Sequence, residues 1–77
     1  MGAAKGWHVN PGQQIILPQG SERMRGGFGS EVWYNPMRNK SYYITGSAVY
    51  GWDIMEYDQP LCPRCWERYA EYREGGR

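Results

Sequence analysis

Glu31-Val32-Trp33-Tyr34 and Ser41-Tyr42-Tyr43-Ile44-Thr45, joined by the polar run Asn35-Pro36-Met37-Arg38-Asn39-Lys40, are the part of the chain that decides its fold. Both flanks are dense in β-branched and aromatic residues, which suit a pleated, half-buried surface. Pro36 and its polar neighbours do not continue a ladder. The stretch therefore reads as a hairpin with strands over 31–35 and 41–45. A period of two sends the consecutive Tyr42 and Tyr43 to opposite faces of the sheet.

Working outward, Gly46-Ser47 reads as a turn and 48–55 as the next strand. In that strand Tyr50, Trp52 and Ile54 share one face, and Val49, Asp53 and Met55 the other. Gly51 inside it signals a bulge or a close backbone approach. Upstream, Trp7-His8-Val9 and Gln14-Ile15-Ile16-Leu17 flank Asn10-Pro11-Gly12. Pro fixes φ at the second position of a type II turn and Gly accepts positive φ at the third. A first hairpin with strands over 7–9 and 13–17 is the expectation. Pro18-Gln19-Gly20-Ser21 ends it. The run from Glu22 to Ser30, with Gly26, Gly27 and Gly29, reads as a flexible loop.

The tail changes period. Cys62-Pro63 places proline at the first position of a helix over 63–74. Cys65, Trp66, Tyr69, Ala70 and Tyr72 recur on one broad face at helical spacing. Arg68 can pair with Glu71 one turn on, and Gly75-Gly76 ends the helix. So short a helix is marginal alone and must dock on the sheet or on a partner. The fold expected is mostly β with one helix: a small antiparallel five-stranded meander or half-open barrel closed by the C-terminal helix. The chain of 77 residues makes one domain, with 1–5 and 75–77 as flexible ends.

A core this small leaves a thin margin of stability, and chains of this size recruit a metal, a disulfide or a second chain to widen it. Four Trp and seven Tyr against one Phe is a composition with polar-tipped rings, favoured at interfaces as well as in cores. The net charge is +1, so no global field selects nucleic acid or an anionic membrane. No apolar run approaches the ~20 residues that span a bilayer, and a membrane is not an expected partner. Two cysteines and no recognisable export signal point to the reducing, intracellular default.

Cys62-Pro63-Arg64-Cys65 is the sharpest local feature. Its spacing resembles one half of a treble-clef or ribbon zinc site, which needs four ligands. The chain supplies no second cysteine pair. The chain is expected to hold no cofactor or else Zn, which would then take Cys62 and Cys65 with His8 and an acid such as Asp58, or be shared in a homodimer. The tetrapeptide also resembles the active site of thioredoxin-like oxidoreductases, where a helix N-terminus favours the thiolate, but the βαβ context of that family is absent. Two ordinary thiols are the remaining alternative.

Arg23-Met24-Arg25-Gly26-Gly27-Phe28-Gly29 resembles one copy of an arginine–glycine RNA-binding tract. Arg23, Arg25 and Phe28, with Arg38 and Lys40 at the hairpin tip, are the candidate nucleic-acid residues. The favoured expectation is a protein partner, engaged through Trp33, Arg38, Lys40, Tyr42, Tyr43, Tyr50 and Trp52, because exposed Tyr and Trp make binding hot spots. No catalytic residue is assigned: His8 is the only histidine and has no Ser or Cys partner near it in sequence. Asp53, Glu56 and Asp58 cluster at a strand end, but alternation separates Asp53 from Glu56. The chain is thus expected to be a small non-enzymatic binding module, of the kind found among phage or mobile-element accessory proteins. A nucleic-acid-binding aromatic sheet and a zinc-stabilised dimeric adaptor are the alternatives.

Overall fold

The aromatic hairpin is the middle of the sheet. The computed structural model describes residues 5–27 and 29–75. It contains β1 (Lys5–Val9), β2 (Glu22–Gly27), β3 (Ser30–Asn35), β4 (Lys40–Ser47), β5 (Gly51–Tyr57) and the helix α1 (Pro63–Gly75). They form one antiparallel five-stranded sheet in the order β1-β5-β4-β3-β2, not closed into a barrel, with a single C-terminal helix. Phe28 and the expected flexible ends 1–4 and 76–77 lie outside the described residues; Lys5 opens β1 and Gly75 is helical.

Three strand assignments need correction. The segment 13–17 is not a strand and makes no hairpin with 7–9. The type II turn is present, since Gln13 N donates to Asn10 O at 3.0 Å and Gly12 has φ +87°. The chain leaving it, however, crosses one face of the sheet as a strap. A second turn, in which Ser21 N donates to Pro18 O at 3.2 Å, ends the strap and feeds β2. Its apolar residues Ile15 and Leu17 are satisfied by packing on Val9, Tyr42, Ile44 and Ile54, not by ladder hydrogen bonds. The expected flexible loop at 22–30 instead contains the edge strand β2, which pairs with β3 and carries a bulge between Arg23 and Arg25. Finally, residues 48–50 are a turn, and the strand begins at Gly51. Tyr50 and Val49 thus belong to neither sheet face.

Register assigns the faces. Trp33 lies opposite Tyr42, Tyr42 opposite Glu56, Ile44 opposite Ile54, and Ile54 opposite Trp7. This first face holds the core of Val9, Tyr42, Ile44 and Ile54, with Trp7, Trp33 and Trp52 packed at its margin. Tyr42 is fully buried and meets Trp7 edge-on, with ring centroids 6.4 Å apart. The second face carries Val32, Tyr34, Ser41, Tyr43, Asp53, Met55 and His8. Among the described residues only its β3 side is roofed, where Val32 and Tyr34 pack on Cys62, Cys65, Leu61 and Tyr69.

The helix entry explains that docking. Cys62 caps α1, its Sγ accepting a hydrogen bond from Cys65 N at 3.2 Å, as a side chain at the N-cap does. Cys62 and Cys65 are joined as a disulfide and both are buried. Cys65 is the only buried residue of the helix. Arg68 anchors the next turn to β2 and also reaches Glu71 at 3.1 Å, the pairing the spacing predicts. Beyond Tyr69 the helix offers Arg73 over the Tyr69 ring, with Nη1 donating to the Tyr69 hydroxyl at 2.8 Å.

Candidate functional site: the open sheet face and the β4–β5 tip

The helix roofs only one side of the second face, so the β4, β5 and β1 portion stays open. On it, Tyr43 and Met55 sit directly opposite each other, at 38% and 37% exposure. One step along the strands, Thr45, Asp53 and His8 form a polar row across β4, β5 and β1. His8 Nδ1 donates to Asp53 Oδ1 at 2.7 Å. Next, Ser47 and Gly51 close the ladder and the turn 48–50 carries the surface past the end of the sheet.

That turn is built to hold its shape. The Ser47 hydroxyl accepts hydrogen bonds from Val49 N at 3.3 Å and Tyr50 N at 3.1 Å, a local side-chain turn that competes with continued pairing. Gly51 follows with φ +93°. A Cβ there would collide with the Val9 carbonyl and approach His8 Nε2 to 2.7 Å. The close backbone approach expected at Gly51 is thus borne out. Val49 and Tyr50 project from the turn at 73% and 81% exposure. An aliphatic and an aromatic side chain are thereby presented to water on a backbone with defined hydrogen bonds.

The other expected partner-binding residues do not join this surface. Tyr42 is fully buried, so it cannot touch a partner in this fold. Trp33 and Trp52 are half-buried on the first face, at the margin of its core. Trp33 Nε1 donates to Glu31 Oε1 at 2.8 Å. Arg38 and Lys40 lie at the far end of β4, in and after the 36–39 turn, where Lys40 pairs with Asp58. That turn is fixed by Asn35, whose Oδ1 accepts from Arg38 N at 3.2 Å and whose Nδ2 donates to Gln19 O at 3.0 Å. The rings therefore divide between two faces, and the basic tip lies at the opposite end from Tyr50. Arg23 and Arg25 are exposed on the edge strand, with Arg23 pairing Glu31 at 3.6 Å.

The candidate metal ligands are also apart. His8 stands on β1 and the cysteines roof β3, three strand spacings away, roughly 14 Å. Among the described residues no group of three or more His, Cys, Asp or Glu side chains gathers to hold a metal. Disulfide formation commits both sulfurs to each other, and their burial beneath the helix keeps them from a second chain. Asp53 and Glu56 do fall on opposite faces, as alternation requires.

Two environments are electrostatically distinct. Burial, and then the Glu56 carboxylate, push the Tyr42 hydroxyl up to about 12 against the opposing effect of Arg38. Its oxygen is buried with no hydrogen-bond partner. The Arg68 guanidinium hydrogen-bonded to Glu22 holds that carboxyl below its ordinary value. The sequence offered no sign of the His8–Asp53 pair, since 45 positions separate the residues. No family model matches this chain, and no curated protein or solved structure resembles it at a significant level.

Proposed function

We propose that this protein is a non-enzymatic binding module that engages another protein through the β4–β5 tip and the adjoining open sheet face. The observation that supports it is the presentation of Tyr50 and Val49. Both are largely exposed on a turn pinned by the Ser47 hydroxyl. Exposed apolar side chains on a mobile segment lose rotamer and backbone freedom on binding, whereas a preset turn has surrendered much of that entropy in folding. Tyrosine adds a large apolar ring and a hydroxyl at low entropic cost, which is why it recurs among hot-spot residues. Tyr43 and Met55 extend the apolar contact, and the His8–Asp53 row between them and the tip supplies the polar complement.

Substitution at the tip tests this. Tyr50→Ala should weaken partner binding by at least tenfold, the effect of a residue worth more than about 1.4 kcal/mol, while leaving the melting temperature nearly unchanged because Tyr50 is 81% exposed. An Arg38→Ala variant, altered at the other end of the molecule, should bind normally. Retained binding by Tyr50→Ala with loss in Arg38→Ala would move the interface to the basic hairpin. Steep weakening with salt would then indicate nucleic acid.

A further inference from the structure

The strap does more than cover the core. Between it and the first sheet face lies an open cleft of about 370 Å³, walled by Ile15, Leu17 and Pro18 on the strap side and by Ile44 and Trp33 on the sheet. Glu31 also lines it and is the only charged residue among the described ones that do. Pockets that take small ligands combine largely apolar walls with a few placed polar groups, and their volumes begin at about 300 Å³. At about 30 Å³ per water this space would hold on the order of a dozen, against walls that offer them few hydrogen bonds.

The carboxylate is oriented. Trp33 Nε1 donates to Oε1 at 2.8 Å, which fixes the Glu31 side chain beside the indole ring. Its remaining contact, from Arg23 Nη1 to Oε2 at 3.6 Å, comes from a mostly exposed guanidinium. Such a pair is weak in water and leaves acceptor capacity on both oxygens. The walls are as fixed as the acid. The turn at Pro18–Ser21 is tied to the buried Asn35 through Gln19 O and Ser21 Oγ, so the strap is held at its C-terminal end against the hairpin.

We propose that this cleft binds a small primary alkylammonium ion, its aliphatic stem between Ile15, Leu17 and Ile44 and its ammonium on the Glu31 carboxylate. Apolar walls with a single anchored anion select a ligand with that division of charge: an alkylcarboxylate meets repulsion, and an alcohol of equal length lacks the charge-assisted hydrogen bond. The site is on the opposite sheet face from Tyr43 and Met55, so it stands or falls independently of the proposed interface.

The test is a titration of the full chain with n-pentylammonium, n-pentanol and n-pentanoate, followed by the Trp33 indole N–H and the Ile15, Leu17 and Ile44 methyl resonances. Saturable shifts of these signals with pentylammonium, roughly tenfold weaker with pentanol and absent with pentanoate, are expected. Glu31→Gln should reduce pentylammonium affinity to that of pentanol, whereas Tyr50→Ala should leave it unchanged. Equal affinity for pentylammonium and pentanol in the unmodified protein would overturn the role of Glu31. No shift at Trp33 with any of the three would overturn the site, and both outcomes are readable without a variant.

Discussion

Arg68 holds Glu22 in a two-point grip, with Nε on Oε1 and Nη2 on Oε2, each at 2.9 Å. It joins the second turn of α1 to the edge strand β2, which has only one strand partner. Parallel N–H···O bonds of this kind are stronger and more directional than a single contact. Glu22 is partly exposed, so solvent keeps the pair's worth to about 1 kcal/mol at most.

A pH dependence follows from that grip. The Arg68 hydrogen bond lowers the folded-state pKa of Glu22 below its ordinary 4.5. A depressed carboxyl contributes stability above its unfolded value and loses it as pH falls through the folded one. Helix docking should therefore weaken as the pH drops below about 4.5. Hydrogen exchange of the α1 amides, compared between the unmodified protein and Glu22→Gln, checks this: the variant should show faster exchange at neutral pH and a smaller change on acidification.

Tyr42 predicts an effect at the other end of the scale. The same residue makes the fold alkali-sensitive. Its pKa is raised to about 12, so above the ordinary value of 10.0 the unfolded chain ionises first and stability falls until the folded group ionises too. Alkaline melting curves should show a shallower decline in Tyr42→Phe. Part of the decline will persist, because burial also raises Tyr34.

The Cys62–Cys65 link predicts a graded response to reduction. Closing so short a loop contributes about 2 kcal/mol in the chain-entropy view. Thermal melts with and without a dithiol should differ by roughly 10 °C, with the loss largest in the near-ultraviolet signal of Trp66, one residue past the bridge. A Cys65→Ala variant should match the reduced protein in direction.

Gly51→Ala should be strongly damaging for so small a substitution. It combines a left-handed backbone with a collision against β1, for a loss of about 3 kcal/mol or more. Denaturant unfolding measures it. Because β1 is held only by β5, exchange of the 5–9 amides should rise before that of β3 and β4.

What was legible in the sequence was local. The hairpin of β3 and β4 followed from two aromatic, β-branched runs around Pro36, and the helix from proline at its first turn and apolar spacing. The strap was not legible. Ile15 and Leu17 alternate with their neighbours equally well in a paired strand or in an extended segment lying across a face, and only tertiary packing decides between these. Edge strand β2 was hidden for the opposite reason: Glu22-Arg23-Met24-Arg25-Gly26-Gly27 lacks strand composition and is recruited by β3 and by the Arg68 grip. Of the expected partner-binding rings, Tyr43 and Tyr50 are exposed, whereas Tyr42, Trp33 and Trp52 are set apart from them by a face and depth that long-range register decides. His8–Asp53 required the pairing of β1 with β5, which no local signal announces.

If the β4–β5 tip and open face form a protein-binding surface, site-specific photocrosslinking in cells producing the protein will capture the partner there. A photoreactive phenylalanine analogue would replace, one at a time, Tyr50, Tyr43 and Met37, the last exposed at the opposite end of the sheet. One discrete protein adduct is expected from positions 50 and 43 and none from 37. Adducts from 37 alone, or adducts that are nuclease-sensitive, would contradict it.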